Sequence, residues 1–516
     1  MMTISMFRNV YDFCEPYRDR SGDIRFTVLP KGSLRLKNIG IGDIQKEDGQ
    51  LQFIKYMNMS EAWNLPNEFT RGLLGDGLFD DKTDLRDAFK DVSKKIMKLY
   101  DKSVFFMDEN DPAINLLFIL NTYFKDEVRY APRIIVEGVT SSGKGRVDSL
   151  LTELCYHAIP VGDGSYASSF RMISEYDTTP IFSEFGDYGN QDRKQLCQML
   201  KVGFDKNGKL FRCASSNFNN EAQVFNVFTP MSLDVKTIDV LPEDVVNRSF
   251  RINMMENIGM KKIDRQYDLK ACREIRTDLY RLKLLATIRK MRDREKPEMF
   301  HLDQFIADSI ELLEDVDEDG FIVPAEGSGI RCNIPEFNNR TFDIASAYYP
   351  FSRITGTEDN LLTKLQMMQN VNRSKLLNTI EALVFNTWVS ESLKYYQKTM
   401  KEFIDSALKM STKEIKDIVL SNLYNEGNSD ERFRNFKTTD VTKALESIGF
   451  HTDYEHMPGH QTFVIRTPNI EKLFLINTKK FCDDETYSRF LSLDFTNAIG
   501  TVPDIKKSSA VGKTEA

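Results

Sequence analysis

The sequence has few of the features that mark secreted, membrane or zinc-binding proteins. Its seven cysteines are scattered singly along 516 residues, and none of them forms a CxxC pair. Isolated cysteines are typical of a reducing compartment and offer no zinc site. The most apolar stretch, around 113–120, is too short to span a bilayer. The first residues show no basic start followed by an apolar core. We therefore expect a cytoplasmic protein without membrane contacts.

The sequence also lacks a large excess of either acidic or basic residues. The net charge is −8, with 28% charged and 41% apolar residues, a composition that is ordinary for a globular protein. This balance excludes a general nucleic-acid binder that relies on overall positive charge. A chain of this length holds about three to four domains.

One motif carries most of the functional information. An apolar run at 134–136 is followed by Gly138, then by Gly143 and Lys144, and then by a helical pattern. Strand, glycine-rich loop and helix are the setting of a P-loop, whose backbone N–H groups surround a phosphate. The alternative interpretation is a Gly/Ser-rich turn before an ordinary helix. We predict that ATP binds at Gly138, Ser141, Ser142, Gly143, Lys144, Gly145 and Arg146.

Two positions depart from the P-loop pattern where Mg²⁺ is expected. The residue after the lysine is normally Ser or Thr, whose hydroxyl holds the ion, but here it is Gly145. A neighbouring predicted strand ends in Ser183 and Glu184, so a serine replaces the magnesium-binding aspartate. We predict Glu184 as the water-orienting catalytic residue, and Glu184 and Asp187 as metal-binding residues. The alternative is a buried strand with an exposed glutamate at its end.

Basic residues follow further along the chain. Asn207-Gly208 favours a tight turn, so Lys206, Lys209 and Arg212 are predicted to project from a hairpin-like element toward DNA. The alternative is a surface turn with solvated lysines.

Arg248 precedes a predicted strand at 250–254. This is where oligomeric ATPases place an arginine finger, which neutralises transition-state charge in the neighbouring subunit. We predict that Arg248 is catalytic, together with Lys144 and Glu184. The alternative is a structural arginine that pairs with a carboxylate.

The remaining patterns indicate the organisation of the chain. A β-rich start, with strands at 24–29, 33–36 and 51–56, precedes a helical stretch at 82–100. Strands are predicted at 134–137, 180–182, 209–213, 223–228 and 249–254, which with intervening helices imply a largely parallel sheet. The chain from 264 to 399 is mostly helical.

The segment from 401 onward is predicted to combine short helices with short strands. A capping box at Ser411 and Glu414 opens one helix, and a second helix at 439–448 ends at Gly449. Strands at 451–454 and 462–466 complete the outline of a winged helix. Lys443 on the second helix is a predicted DNA contact. The predicted domains are 1–105, 106–260, 261–400, 401–500 and a disordered tail at 501–516.

The order of these motifs resembles that of helicase-like AAA+ P-loop ATPases of archaeal and bacterial viruses, plasmids and integrated elements, akin to superfamily-three and MCM-type helicases. The resemblance rests on GVTSSGKGRV, IFSEF, GFDKNGKLFRC, VFNVFTP and LPEDVVNRSFRINM, and covers 111–256. It extends to Arg340, near a helix start. Members of the family generally have Thr or Ser at the place of Gly145, Asp at that of Ser183, and often Gly-Pro-Lys at that of Thr229-Pro230-Met231.

The resemblance implies an α/β P-loop, AAA+-like ATPase core with a β-rich N-terminal module, a helical lid and a C-terminal winged helix. It implies a hexameric ring of identical chains that uses ATP and Mg²⁺ to translocate on or unwind DNA during replication of a mobile element or virus. The three departures favour an alternative, a nucleotide-gated DNA-binding initiator or regulator with little or no hydrolysis. A third interpretation is a P-loop scaffold without nucleotide.

Overall fold

A computed structural model describes residues 11–19, 21, 23–32, 36–40, 84–162, 166–213, 222–292, 300–316, 322–324, 339–395, 398–425, 433–455, 461–466 and 469–494. The chain divides into two compact units, Met1–Gln369 and Asn370–Ala516. The predicted strand at 51–56, most of the one at 33–36 and the predicted tail lie outside the described residues.

The first unit begins with a small antiparallel sheet. Its strands are β1 (Tyr11–Arg18), β2 (Ile24–Pro30) and β3 (Lys37–Gly40), paired in sequence order. Phe26 and Val28 lie two residues apart on β2 and are fully buried, as a period-two strand pattern requires. Glu15 on β1 is also buried, and it accepts a hydrogen bond from the hydroxyl of Tyr156 at 2.5 Å.

The α/β part of this unit begins with two helices, and the first of them, which starts at Leu85, repeats buried apolar residues at helical spacing. In chain order, the elements are α1 (Leu85–Ser103), α2 (Asp111–Phe124), β4 (Arg133–Glu137), α3 (Lys144–Leu154), β5 (Ala158–Val161), α4 (Tyr166–Tyr176), β6 (Thr179–Phe182), α5 (Asn190–Val202), β7 (Lys209–Cys213), β8 (Ala222–Asn226), β9 (Ser232–Val235), α6 (Glu243–Val246) and β10 (Ser249–Asn253).

Five of these strands form one parallel sheet in the order β10-β4-β9-β6-β5. Ile134 and Val136 on β4 pack into the apolar core on one face of the sheet, and Ile135 packs into the core on the other face. Burial on both faces explains why β4 reads as a continuous apolar run. The predicted parallel sheet flanked by helices is confirmed.

The membership of the sheet differs from the prediction. The segments predicted as strands at 209–213 and 223–228 form β7 and β8, an antiparallel pair outside the parallel sheet. Assigning them to the parallel sheet is wrong, because β9 takes the place beside β4 and β5 takes the edge. Both of these strands have only four residues, and β5 contains Pro160, which an edge strand tolerates. Strands β5 and β9 are therefore too short to show the alternation of apolar and polar residues by which a strand is recognised in a sequence.

After β10 the described part of the first unit is mainly helical. It contains α7 (Leu269–Arg292), α8 (Leu302–Glu311), a short antiparallel pair of β11 (Glu314–Val316) and β12 (Ile322–Pro324), and α9 (Asn339–Thr355). The next helix, α10 (Glu358–Leu377), begins in this unit and ends after the unit boundary at Gln369. Arg340 is the second residue of α9, so it lies at a helix start as expected. The role of these helices as a lid stays a prediction.

The second unit packs helices around a core of its own. The predicted capping box is present, because Ser411 Oγ accepts from the Glu414 N–H at 3.2 Å and Glu414 accepts from the Ser411 N–H at 2.7 Å. Gly449 follows the second predicted helix with φ of 97°, a left-handed helix end. The elements are α11 (Ile380–Ser392), α12 (Met400–Ala407), α13 (Thr412–Asn425), α14 (Thr438–Ser447), the antiparallel pair β13 (Thr452–Glu455) and β14 (Gln461–Val464), α15 (Ile470–Phe481) and α16 (Asp484–Leu491). The winged-helix assignment stays a prediction.

Candidate functional site

The loop after β4 is shaped by glycines at both of its ends. A Cβ on Gly138 would lie 2.5 Å from the carbonyl oxygen of Met254 and 2.6 Å from Ser142 Oγ, so no larger residue fits without movement. Gly143 and Ser141 have φ of 95° and 66°, in the left-handed region that is costly for a residue with a Cβ. The chain therefore turns sharply and enters α3 directly after the loop.

Lys144 is the first residue of α3, and its ammonium group lies inside the loop. Nζ donates to the carbonyl oxygens of Gly138 at 2.5 Å and Val139 at 3.2 Å. It also lies 3.5 Å from a carboxylate oxygen of Asp234 on β9. The helix N-terminus and the lysine bring positive charge to the same place, so the loop is suited to hold a phosphate.

This loop forms one wall of a cleft with a volume of about 740 Å³. The volume lies within the usual range for small-molecule sites. The ends of β6 and β9 contribute Ser183, Glu184 and Asp234 to its lining. Gly138 does not line the cleft, but its carbonyl oxygen accepts a hydrogen bond from Lys144, which does. The other six predicted ATP-binding residues all line the cleft: Ser141, Ser142, Gly143, Lys144, Gly145 and Arg146.

The two acidic residues predicted from the sequence lie at the exposed side of the cleft. Glu184 follows β6 with φ of 49°, a strained backbone conformation of the kind that clusters at functional sites. Asp187 pairs with Lys236, with 2.9 Å between Oδ2 and Nζ, and both side chains are more than half exposed. The Asp187 carboxylate therefore already has a cationic partner.

Two buried carboxylates in the cleft were not predicted from the sequence. Asp148 lies on α3 one turn after Lys144, and Asp234 lies on β9; each residue is 6% exposed. Burial and then the charge of Asp234 raise the pKa of Asp148 to about 8, against smaller opposing effects of Lys144 and Ser183. Burial also raises the pKa of Asp234, and Lys144 opposes this change.

The sequence contains a signal for one of these two acids. Residues four apart lie on one face of a helix, so a helix that begins at Lys144 brings Asp148 to the lysine side. Asp234 has no comparable signal, because β9 was not recognised as a strand.

Arg146 follows Gly145 on α3, and its side chain is held by backbone carbonyl groups. Its guanidinium donates to the backbone carbonyl oxygens of Ser103 at 3.4 Å, Asp264 at 3.0 Å and Arg265 at 2.7 Å. The side chain therefore fastens the start of α3 to neighbouring segments of the same unit. A direct contact of Arg146 with nucleotide stays a prediction.

Arg248 lies at the amino-terminal end of the parallel strands, whereas the glycine loop follows the carboxyl-terminal end of β4. The next residue, Ser249, pairs with Arg133 at the start of β4, whereas the loop follows the end of β4. A five-residue strand spans about 16 Å. Within one chain, Arg248 and the cleft therefore face opposite ends of the sheet.

A second arginine accompanies Arg248. The guanidinium groups of Arg248 and Arg340 lie 5.8 Å and 5.5 Å from the ring centroid of Phe204. Burial and then the charge of Arg340 lower the pKa of Arg248. Arg248 donates to the backbone carbonyl of Asp244, and Arg340 pairs with Asp343 at 3.0 Å.

The turn at Asn207-Gly208 is formed, but it does not connect two paired strands. The Gly208 N–H donates to the carbonyl of Asp205 at 2.9 Å, and β7 begins at the next residue. Because β7 pairs with β8, this turn lies before the first strand of the antiparallel pair and not between the two strands. The segment that joins β7 to β8 lies outside the described residues.

The predicted DNA-contacting residues of this region differ in their surroundings. Lys206 donates to the backbone carbonyl of Asp126, whereas Lys209 is exposed on β7. Arg212 follows on the same strand. Phe211 is 66% exposed.

No protein-family model matches the sequence, and no curated protein matches it. Similar solved structures include the A form apo structure of the NrS-1 C terminal region, with 12% identity and a TM-score of 0.34 over 88% of this chain and 96% of that chain. The structure of NrS-1 residues 305–718 has 11% identity and a TM-score of 0.31 over the same shares. A ligand-bound JCV Helicase has 14% identity and a TM-score of 0.22 over 45% of this chain and 66% of that chain.

Other predicted features have simpler outcomes. Lys443 is exposed on α14 in the second unit. Within the described ranges no group of three or more His, Cys, Asp or Glu residues is arranged to hold a metal ion. In the same part of the chain, no helix has the length and apolar character needed to cross a membrane.

Proposed function

We propose that this chain is an ATP-binding, ring-forming, DNA-dependent ATPase with a helicase-like action in the replication of a virus or mobile element. One observation carries the proposal: a glycine loop joins a buried parallel strand to a helix, with Lys144 beside a cleft of suitable size. This arrangement suits a nucleotide triphosphate, because N–H groups, lysine and helix N-terminus all favour anionic oxygens.

Two residues of the cleft then have defined roles in hydrolysis. Lys144 leaves its loop carbonyls and neutralises the β- and γ-phosphates, while Glu184 orients the attacking water. Mg²⁺, bound with the nucleotide, supplies further positive charge to the phosphate oxygens. The cleft contains carboxylate oxygens, the ligand type that this ion prefers.

The site is completed by a second copy of the chain. Arg248 faces the opposite end of the sheet from the cleft, so it suits a neighbouring subunit's nucleotide better than its own. A head-to-tail arrangement of this kind closes into a ring when the rotation between subunits is suitable. A hexamer of identical chains is the assembly we propose.

DNA is the proposed polymer on which this ring acts. Lys209 is exposed on β7 beside the aromatic ring of Phe211, and lysines next to exposed aromatics suit phosphates and stacked bases. Lys206 and Arg212 lie on the same segment. Lys443 on α14 is the proposed contact of the second unit.

The alternative function is a nucleotide-gated initiator or regulator that binds DNA and hydrolyses ATP slowly or not at all. It is favoured by Gly145, which has no hydroxyl for Mg²⁺, and by Ser183, which replaces an aspartate. Retention of Glu184 and Arg248 favours the ATPase, because binding alone requires neither residue.

ATP hydrolysis by the purified full chain separates these functions. The assay contains Mg²⁺, with and without single-stranded DNA, and a Lys144→Ala variant whose melting temperature is checked. DNA-stimulated turnover that disappears in the variant supports the ATPase. If the wild type binds nucleotide without hydrolysing it, and the variant does not bind, the result supports the initiator or regulator. Equal nucleotide binding by both proteins, without turnover by either, would exclude both functions at this site.

A further inference from the structure

The buried pair of Asp148 and Asp234 has no role in the binding and hydrolysis steps given above. Asp234 lies 3.5 Å from Lys144, whereas Asp148 makes no ion pair within the described part of the chain. Neither oxygen of Asp148 has a hydrogen-bond partner of good geometry there, although the hydroxyl of Ser183 is near enough to lower its pKa. Buried carboxylates are normally paired or hydrogen-bonded, so this one requires an explanation.

The position of Asp148 in the cleft explains why its buried carboxylate has no ion pair within the described part of the chain. Asp148 lines the same cleft as Ser183, the residue after β6 where the family resemblance leads us to expect an aspartate that faces the metal. A carboxylate absent from β6 is therefore present nearby, but it comes from α3. Asp234, from the strand between β4 and β6, brings a second carboxylate close enough to raise the pKa of Asp148.

Gly145, which replaces the usual Ser or Thr after the lysine, leaves open space at the same site. Nothing lies within 4 Å of a Cβ built on Gly145. The hydroxyl that normally occupies this position is missing, and no neighbouring side chain has moved into its place. Mg²⁺ in nucleotide sites needs only one or two carboxylates, because phosphate oxygens and waters complete its octahedral shell.

We infer that Asp148 and Asp234 are the carboxylate ligands of the Mg²⁺ that accompanies a nucleotide triphosphate in this cleft, in place of a hydroxyl at 145 and a carboxylate at 183. This inference rests on the proposed nucleotide site. It assigns the metal to the buried side of the cleft instead of to Asp187, whose carboxylate pairs with Lys236. The two positive charges of Mg²⁺ would also offset the two aspartates once Lys144 turns from Asp234 to the negative phosphates of the nucleotide.

The experiment measures the affinity of a fluorescent ATP analogue for the full chain, once with Mg²⁺ and once with EDTA. The ratio of the two dissociation constants reports the metal without requiring turnover. For the wild type we expect Mg²⁺ to tighten binding. For Asp148→Asn we expect binding in EDTA to persist and the gain from Mg²⁺ to fall by about tenfold or more, the size of effect typical of altered metal sites.

Two further variants make the test specific. Asp234→Asn is expected to lose the same gain, and it provides a second measurement if Asp148→Asn does not fold. Glu256→Gln is the matched control, because Glu256 is an exposed carboxylate shortly after β10, outside the cleft lining. It removes the same charge near the same edge of the sheet and is expected to keep the full gain.

Mn²⁺ provides a direct readout of the ion. Electron paramagnetic resonance with Mn²⁺ and the nucleotide analogue is expected to show one bound ion per nucleotide in the wild type and a weaker complex in Asp148→Asn. An undiminished gain from Mg²⁺ in both aspartate variants would overturn the metal assignment while leaving the nucleotide site intact. Absence of nucleotide binding by the wild type in EDTA and in Mg²⁺ would overturn the proposed function and the metal site together.

A second substitution, Gly145→Thr, tests whether a hydroxyl can replace the lost carboxylate of Asp148. Gly145→Thr restores the hydroxyl in open space, so it is expected to fold. In the Asp148→Asn background it is expected to recover part of the Mg²⁺ gain, because a hydroxyl at this position is the ligand that P-loops ordinarily use.

Discussion

Gly138 and Gly145 lie in the same loop-and-helix segment, but their surroundings differ. A Cβ on Gly138 meets a backbone oxygen and the side chain of Ser142 at distances that no structure tolerates, whereas a Cβ on Gly145 meets nothing. The first glycine is required by the shape of the loop. The second is not required by shape, so its presence changes the chemistry of the site instead of its fold.

Gly138→Ala is therefore expected to displace the loop and to destabilise the first unit by about 1–3 kcal/mol, the usual cost of overpacking. Nucleotide affinity should fall with it, because the N–H groups of the loop no longer converge. Thermal unfolding and analogue binding measure the two effects. Gly145→Ala is the matched comparison for stability, and it should be neutral or stabilise by up to about 1 kcal/mol. Equal stability losses in the two variants would contradict the distinction.

A buried ion pair illustrates a second effect at the residue scale. Lys364 on α10 lies 2.7 Å from Asp108 and 2.5 Å from Asp111 at the start of α2, where Asn110 also hydrogen-bonds Asn360. Burial raises the pKa of Asp111 from 3.8 to about 6, and the ammonium group of Lys364 opposes this rise. The lysine is thus what keeps a fully buried carboxylate ionised near neutral pH.

Lys364→Met should lower the free energy of unfolding by about 3–5 kcal/mol, because it leaves a buried charge unpaired. Asp111 has a higher pKa when folded than when unfolded, so the folded form holds a proton that the unfolded chain releases, and stability falls as pH rises between the two values. Without the lysine this window extends upward. The deficit should be smaller at pH 5, where the loss of the contact with Asp108 remains, and should grow above pH 6, as urea unfolding at the two pH values will measure.

The control for this prediction is the same substitution at an exposed pair. Lys261 lies 2.8 Å from Asp101, whose side chain is 75% exposed. Lys261→Met should cost less than about 1 kcal/mol at either pH. A pH-independent loss in the Lys364 variant would show that packing of the lysine stem, and not its charge, is what stabilises α2 and α10.

Among the elements, the hairpin of β7 and β8 stands apart from the parallel sheet. It presents Lys209 and the exposed ring of Phe211. If the hairpin contacts DNA as proposed, Lys209→Ala should weaken single-stranded DNA binding a few-fold at moderate salt and reduce the salt slope by about one. Lys90→Ala, an exposed lysine on α1, should change neither quantity. Fluorescence anisotropy across a salt series measures both, and equal slopes for the two variants would exclude Lys209 as a phosphate contact.

The elements also show what a sequence can reveal and what it cannot. β4 and α3 are predictable because a strand buried on both faces is a continuous apolar run, and the glycine loop marks its end. β5 and β9 are not predictable in the same way, because four residues with Pro160 or Asp234 inside them have no period. The Asn207-Gly208 dipeptide indicates a turn, but it does not indicate which strands pair beside that turn.

The same limits explain the candidate site. Residues contiguous with the glycine loop could be placed from the sequence, and six of them line one cleft. Asp234 could not, because its position depends on which strand lies beside β4, and sheet order is a property of tertiary packing. Asp148 could have been found from its spacing to Lys144, since both lie on one helical face.

For the whole molecule, the arrangement of Lys144 and Arg248 decides whether one chain suffices. The two residues lie at opposite ends of the parallel sheet, separated by about 16 Å along β4 and β10. An arginine that serves its own chain's nucleotide would have to cross this sheet. An arginine that serves a neighbour's nucleotide needs only a head-to-tail contact between chains.

A subunit-mixing experiment tests this arrangement. Lys144→Ala and Arg248→Ala chains should each be inactive alone, since one lacks the phosphate-binding lysine and the other lacks the arginine at every interface. Mixed in equal amounts and allowed to exchange, they form some interfaces in which an intact Lys144 meets an intact Arg248 of the next chain. Random assembly makes about one interface in four complete. ATPase activity should therefore recover to about a quarter of the wild-type value, whereas mixing either variant with the double variant should recover none. Continued inactivity of the mixture, with mixed oligomers confirmed by native mass spectrometry, would contradict a shared site and place the arginine in a structural role beside Phe204 and Arg340.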